Sequence, residues 1–145
     1  MDLTEHDNLL IAAIADGLAL KGFTGLDWQV CYQSRVGPLE WIGPATEDEI
    51  TRAGQDGVAV VLAPVAFVSE HSETLVELDI EYKKIAGDLG IEHYRRVPTL
   101  TADAGYIDGL ANLARDAATK KGLCPPRGTR YCPQRFERCL CKEAL

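Results

Sequence analysis

An almost wholly apolar run, VAVVLAPVAFV at Val58–Val68, constrains this chain more than any other feature. Its first part, Val58–Val65, is rich in β-branched residues and flanked by Gly57 and Pro64, which predicts a strand buried on both faces. Strands of that kind belong to parallel sheets, whose neighbouring strands are joined by helical crossovers. The run therefore predicts an α/β fold.

Helical and strand patterns alternate along the rest of the chain, which is typical of a parallel sheet flanked by helices. A single lobe over residues 1–121 and an irregular Cys-rich tail over residues 122–145 are the predicted domains. The other predicted elements are a helix from Thr4 to Gly22, a strand at Asp27–Gln33, a helix from Glu47 to about Gly54 opened by a Thr46/Glu49 capping box, a helix from Ser69 to about Gly87, a strand at His93–Pro98 and a helix capped by Thr101 that ends near Lys121.

Charge is distributed unevenly along the 145 residues, of which 46% are hydrophobic and can form one compact core. Residues 1–119 hold 8 Lys/Arg and 20 Asp/Glu, a net charge of −12, whereas residues 120–145 hold 7 and 2, a net charge of +5. The acidic body argues against a nucleic-acid partner. The basic tail is either solvated or in contact with an acidic surface, a membrane face or the acidic body itself.

The compartment is predicted from what the sequence lacks. No apolar run approaches the roughly 20 residues that span a bilayer. The acidic start MDLTEHDNLL does not resemble a secretory signal or a transit peptide. We therefore expect a cytoplasmic protein, with peripheral membrane contact through the basic tail as one option.

Directly after the apolar run, SEHSETLVELDIEY places several metal- and proton-binding side chains close together. In an α-helix, Glu73, Glu77 and Glu81 would lie one above another. Leu75, Leu78, Tyr82 and Ile85 would form a separate apolar stripe. Like charges four residues apart repel by about 0.2–0.5 kcal/mol per pair. Two interpretations remain open: a solvated acidic face, or a ladder that carries protons or a divalent cation.

Three motifs in order resemble the C-terminal lobe of ferrochelatases, over about residues 27–98. They are YQSRVGPLEWIGPATEDEI, then VLAPVAFVSEHSETLVELDIEY, then YRRVP. That family inserts Fe²⁺ into protoporphyrin IX, the last step to protohaem. The resemblance implies a lyase with Fe²⁺ and protoporphyrin IX as substrates. It also implies a fold of two similar α/β lobes, each a parallel sheet flanked by helices, with the porphyrin between them.

The resemblance assigns roles residue by residue. Glu73 matches the active-site glutamate of the family's S-[DE]-H-x-E-T-L motif, and His71 matches the histidine before it. Glu77 and Glu81 match carboxylates that continue along a partly π-helical segment as a path for metal or protons. The residues matching the porphyrin-binding loop are Trp41, Gln33, Ser34 and Arg35.

Ferrochelatases are considerably longer than this chain, and their N-terminal lobe supplies a further active-site histidine. We therefore expect efficient iron insertion to need that lobe, or a second copy of the chain. The alternatives are a short chelatase that dimerises to rebuild the cleft, and a non-catalytic Fe–S or porphyrin-binding module.

The tail holds four of the five cysteines, with the spacing C-x7-C-x6-C-x-C. Clustered cysteines without an export signal favour metal binding over disulfides. In certain bacterial ferrochelatases a C-x6-C-x-C tail supplies three ligands of a [2Fe–2S] cluster, and the N-terminal lobe supplies the fourth. Cys132, Cys139 and Cys141 match that spacing, and the fourth ligand here is either Cys124 or a residue of that lobe. Zinc binding and reduced thiols remain alternatives, while Cys31 is expected to be a small buried residue.

Overall fold

The computed structural model describes residues 3–33, 37–38 and 42–120. The described chain falls into two compact units, one ending at Thr101 and one beginning at Ala102. The predicted domain boundary at residues 121 and 122 lies at the edge of the described part and stays a prediction. The elements, in order, are α1 (Leu3–Leu20), α2 (Thr46–Asp56), β1 (Val60–Leu62), a π-helix (Glu73–Tyr82), α3 (Lys83–Asp88), β2 (Tyr94–Arg96) and α4 (Ala104–Thr119).

The sheet within the described residues consists of β1 and β2, which pair in parallel. Val60 lies opposite Tyr94 and Leu62 opposite Arg96. The π-helix and α3 form the crossover between the two strands, as a parallel pair requires. The predicted α/β class with a parallel sheet is therefore confirmed.

The core of the first unit lies where α2, the π-helix and α3 meet the sheet. Each large apolar side chain buried there stabilises the fold by about 1.5–3 kcal/mol relative to exposure. The apolar residues of this core are Ile50, Ala53, Leu78, Tyr82, Ala86, Ile91 and Tyr94.

Burial of β1 on both faces, predicted from its apolar run, is wrong. Val60 and Leu62 pack against the core, whereas Val61 between them is 70% exposed. Successive side chains of a strand point to opposite faces. Because the core cluster lies against the face that carries Val60 and Leu62, Val61 points away from it.

The predicted strand at Asp27–Gln33 is also wrong, since this segment contributes a single parallel bridge between Tyr32 and Ala45. Tyr32 N–H donates to Pro44 O at 2.9 Å, and Thr46 N–H donates to Tyr32 O at 3.0 Å. Pairing cannot extend past this point because Pro44 has no N–H and Thr46 already begins α2. Tertiary context therefore overrides the β-propensity of the segment.

Two predicted helix caps are wrong. The N-cap of α2 is Ala45, and Thr46 is instead a buried residue of the helix itself. The N-cap of α4 is Asp103, whose Oδ1 accepts from Tyr106 N–H at 3.0 Å. Thr101 lies before that cap with φ of +44°, an uncommon conformation for a β-branched residue.

Candidate active site

The candidate site begins where the chain leaves the carboxyl end of β1. This edge is where ligands bind in open parallel sheets. The segment after β1 carries Phe67, Glu70 and His71, and the π-helix follows at Glu73. The π-helical character that the resemblance implied is present along Glu73–Tyr82.

The π-helix changes which side chains share a face. Its amides bond five residues back, so a turn holds more residues than an α-helical turn, and residues four apart stay nearly aligned. Thr74, Leu78 and Tyr82 are accordingly buried at steps of four. Leu75, predicted as part of the apolar stripe, is 46% exposed, because a step of three from Leu78 falls short of a full turn.

Gln33 connects the segment before α2 to the π-helix. Its side-chain amide donates to Glu73 O at 3.1 Å and to Glu77 Oε2 at 3.0 Å. Glu73 and Glu77 lie 40 and 44 positions after Gln33 in sequence. Three of the predicted site residues are therefore in direct contact.

Tyr82 is a partner of Glu77 that sequence reasoning missed. Its hydroxyl donates to Glu77 Oε1 at 2.8 Å. Burial, reinforced by the bond to Glu77, raises the pKa of the Tyr82 phenol well above its usual range. The signal was the spacing of five residues, which brings side chains together in a π-helix and not in an α-helix.

His71 is oriented by its neighbours. Its Nδ1 accepts from Glu73 N–H at 3.2 Å, and its ring stacks edge-on against Phe67 with the centroids 4.3 Å apart. The buried Thr74 hydroxyl binds both backbone groups of His71, at 2.9 Å each. Because Nδ1 is an acceptor, the proton of a neutral His71 is carried by Nε2.

Glu73 and Glu81 are exposed, whereas Glu77 between them is partly buried. Each is four residues from the next, so the three carboxylates follow one side of the π-helix. The half-exposed imidazole of His71 and the exposed carboxylate of Glu73, in the first turn of the π-helix, are group types that can exchange protons or bind a divalent cation.

A second charged cluster, formed by Glu70, Asp79 and Arg96, lies beside this site and was not predicted. The backbone N–H of Thr99, together with the Arg96 guanidinium, lowers the pKa of the Glu70 carboxyl to about 2. Arg96 also lowers the pKa of Asp79. The sequence signal for this cluster was the YRRVP motif, which contains Arg96.

The remaining predicted site residues lie outside the described part of the chain: Ser34, Arg35, Trp41, Cys124, Cys132, Cys139 and Cys141. Within residues 3–33, 37–38 and 42–120, no group of three or more His, Cys, Asp or Glu side chains is arranged to hold a metal ion. Cys31 is half-buried, and burial raises the pKa of its thiol. The same described ranges contain no helix long and apolar enough to cross a membrane.

The fold and the contacts among Gln33, Glu73 and Glu77 define an α/β protein with a carboxylate- and imidazole-bearing site at the end of a parallel strand. A family model of ferrochelatases matches residues 4–118. This match covers most of the chain, and the chain belongs to the ferrochelatase family.

Individual relatives agree with the family match. A ferrochelatase of Caulobacter vibrioides is 49% identical over 119 residues, 81% of this chain and 34% of the relative. A ferrochelatase of Rickettsia bellii is 48% identical over 135 residues, 90% of this chain and 37% of the relative. One from Wolbachia pipientis is 54% identical over 103 residues, 71% and 31% respectively. The chain thus spans about a third of the length of the curated relatives it matches.

Proposed function

We propose that this chain supplies the porphyrin-binding, acid/base lobe of a ferrochelatase, which inserts Fe²⁺ into protoporphyrin IX to form protohaem. The observation that carries the proposal is the Gln33 amide, bonded to both Glu73 O and the Glu77 carboxylate. It links Gln33, from the motif that resembles the porphyrin-binding loop, to the carboxylate helix, which supports a shared site for the two. Membership of the family supports the same reaction.

The reaction needs the side chains that this site presents. Protoporphyrin IX loses two pyrrole protons, its four nitrogens bind Fe²⁺ as the ion sheds water, and protohaem and two protons result. Glu73, exposed at the first turn of the π-helix, accepts a proton from the macrocycle. Glu77 and Glu81 continue from it as the path for protons or metal. His71 is oriented through Nδ1, so Nε2 is the nitrogen proposed to face the macrocycle.

Porphyrin binding is assigned to Trp41, Gln33, Ser34 and Arg35. An aromatic wall and a loop with two Gly–Pro pairs can hold the macrocycle distorted, which exposes its nitrogen lone pairs. Gln33 serves the π-helix as well as the porphyrin loop, since its amide already holds Glu73 and Glu77.

A [2Fe–2S] cluster is proposed for the tail, with Cys132, Cys139, Cys141 and Cys124 as its thiolates. Seven Lys and Arg residues in 120–145 would offset the negative charge of such a cluster. The proposed partners are the N-terminal lobe of a ferrochelatase or a second copy of the chain. The proposed location is the cytoplasm, with the basic tail against a membrane face.

Porphyrin titration with and without Fe²⁺ tests this function, under anaerobic conditions and alongside the mass in solution. We compare the wild type, Glu73→Gln and a matched control, Glu92→Gln, which changes an exposed carboxylate at the opposite edge of the sheet. All three should bind protoporphyrin IX. Protohaem formation should be slow without the second lobe, and Glu73→Gln should lower it by about 10²-fold.

Two results would contradict the proposal. One is the absence of porphyrin binding by the wild type. The other is protohaem formation that Glu73→Gln leaves at the rate of Glu92→Gln.

A dimeric short chelatase is the second candidate, and the exposed stripe on α1 favours it. Leu10, Ile14 and Leu18 recur four residues apart and are each more than a third exposed. A stripe of this kind can be covered by another copy. A dimer with protohaem formation at full rate would support this candidate, and a monomer would exclude it.

A further inference from the structure

One guanidinium holds two separate parts of the candidate active site. Arg96, the last residue of β2, has a side chain that is 9% exposed. Its Nε and Nη2 donate to Asp79 Oδ1 and Oδ2 at 2.7 and 2.8 Å, a bidentate pair. Its Nη1 donates to Glu70 Oε1 at 2.9 Å.

The two carboxylates that Arg96 binds lie on either side of the site. Glu70 directly precedes His71, and Asp79 lies within the π-helix that begins at Glu73. The backbone N–H of Thr99, just beyond β2, donates to the same Glu70 oxygen at 2.9 Å. The segment that enters the site and the π-helix that leaves it are therefore both attached to the end of one strand.

Tyr94 gives the π-helix a second attachment to the same strand. It lies two residues before Arg96, so both side chains point to one face of β2. Its hydroxyl donates to Leu78 O at 2.8 Å. The π-helical repeat would bring Lys83 N–H to Leu78 O, but Lys83 N–H bonds to Ile80 O. Tyr94 thus donates to a carbonyl in the second half of the π-helix, next to Asp79.

We propose that Arg96 is a positioning residue of the candidate active site, which holds the segment carrying His71 against the π-helix that begins at Glu73 by binding Glu70 and Asp79 on one guanidinium. The proposal rests on the proposed function where it concerns rate. Without Arg96, the Glu70–His71 segment keeps its bonds to Thr74 and Leu75 but loses its link to Asp79, so it should shift relative to the π-helix. The hydrogen bond from Glu73 N–H to His71 Nδ1 should then be lost, because the two partners lie on the two parts that Arg96 joins.

Arg96→Met and Arg95→Met form a matched pair for the test. Arg95 is the exposed neighbour on the other face of β2, and its guanidinium donates to the Tyr94 carbonyl. ¹⁵N NMR of His71 reports whether Nδ1 accepts a hydrogen bond, and amide exchange reports whether the π-helix is intact. We expect the ¹⁵N spectrum of Arg96→Met to show that His71 Nδ1 no longer accepts a hydrogen bond. In Arg95→Met, this hydrogen bond should be retained.

Variants at Glu70 and Asp79 test the two bonding partners of Arg96 separately. They also provide a test if Arg96→Met does not fold. Glu70→Ala should lose the His71 signature while amide protection of the π-helix stays within about 2-fold of the wild type. Asp79→Ala should lower that protection instead. Arg96→Lys, which keeps the charge without the fork, should give an intermediate His71 signature.

Where protohaem formation is measurable, Glu70→Ala should lower kcat by about 10²-fold and leave KM within about 2-fold, as expected of a misplaced catalytic group. An unchanged His71 spectrum in folded Arg96→Met or Glu70→Ala would overturn the proposal, whatever the activity. Absence of insertion in the wild type would contradict the proposed function alone, and the NMR result would still decide the role of Arg96.

Discussion

The Tyr82 hydroxyl and Glu77 carboxylate pair within one turn of the π-helix, on the side that faces the core. Tyr82→Phe keeps the ring and removes the donor, which leaves Glu77 Oε1 without that hydrogen bond. Because the acceptor is a carboxylate, we expect the free energy of unfolding to fall by about 1.5–3 kcal/mol. Urea unfolding near neutral pH measures it. Tyr106→Phe, on α4, is the matched control, and an equal effect there would contradict this role for Tyr82.

The same tyrosine makes a prediction for alkaline pH. Folding raises the pKa of Tyr82, so the neutral phenol is favoured in the folded state and ionisation favours unfolding. The contribution of Tyr82 to stability is full below its unfolded pKa of about 10. It is lost as pH rises from there towards the folded pKa. Urea midpoints at increasing alkaline pH should therefore fall more steeply for the wild type than for Tyr82→Phe, and parallel curves would contradict the prediction.

Glu70 predicts the opposite behaviour in acid. Thr99 N–H and Arg96 lower its pKa to about 2, from 4.5. Its stabilisation is present above pH 4.5 and is lost as pH falls through about 2, since the unfolded state binds the proton first. Between pH 4.5 and about 2, the urea midpoint should decrease less with falling pH in Glu70→Gln than in the wild type. Glu92→Gln should show the same decrease as the wild type. Equal slopes in the two variants would show that Glu70 is not protected in the folded state.

The crossover element shows how much of the fold the sequence could predict. The sequence predicted strands at β1 and β2 and a parallel sheet, because these depend on local composition and on the alternation of strands with helices. It could not place Leu75, because periodicity assumes an α-helical repeat and the π-helix has another. Nor could it find the contacts of Arg96 with Glu70 and Asp79, which are 26 and 17 residues away and depend on the tertiary fold.

Two leucines three residues apart test the π-helical repeat. Leu78 is 0% exposed and Leu75 is 46% exposed. Leu78→Ala should lower the free energy of unfolding by about 2–5 kcal/mol, because it leaves a cavity in the core. Leu75→Ala should change it by less than about 0.5 kcal/mol. Chemical denaturation of both variants is the measurement, and losses of similar size would indicate an α-helical repeat in solution.

Among the residues that the structure describes, the buried apolar core lies within the unit that ends at Thr101. No side chain of α4 is buried. A chain ending at Thr101 should therefore unfold cooperatively, with a free energy of unfolding within about 1 kcal/mol of that of a chain ending at Lys120. A chain ending at Glu92 lacks β2 and should not fold, since Tyr94 belongs to the core. Circular dichroism with urea unfolding distinguishes them, and loss of cooperativity on truncation at Thr101 would contradict the prediction.

The last 22 residues hold four cysteines, so the proposed cluster can be tested directly. A [2Fe–2S] cluster absorbs visible light, whereas zinc and free thiols do not. Anaerobic reconstitution with iron and sulfide should therefore colour the full chain, and Cys139→Ser should abolish most of that absorption, because a cluster needs four ligands. Cys31→Ser should leave the colour unchanged, since Cys31 is half-buried in the first unit and lies outside the tail motif. A colourless protein that binds zinc, or a colour indifferent to Cys139→Ser, would exclude the cluster.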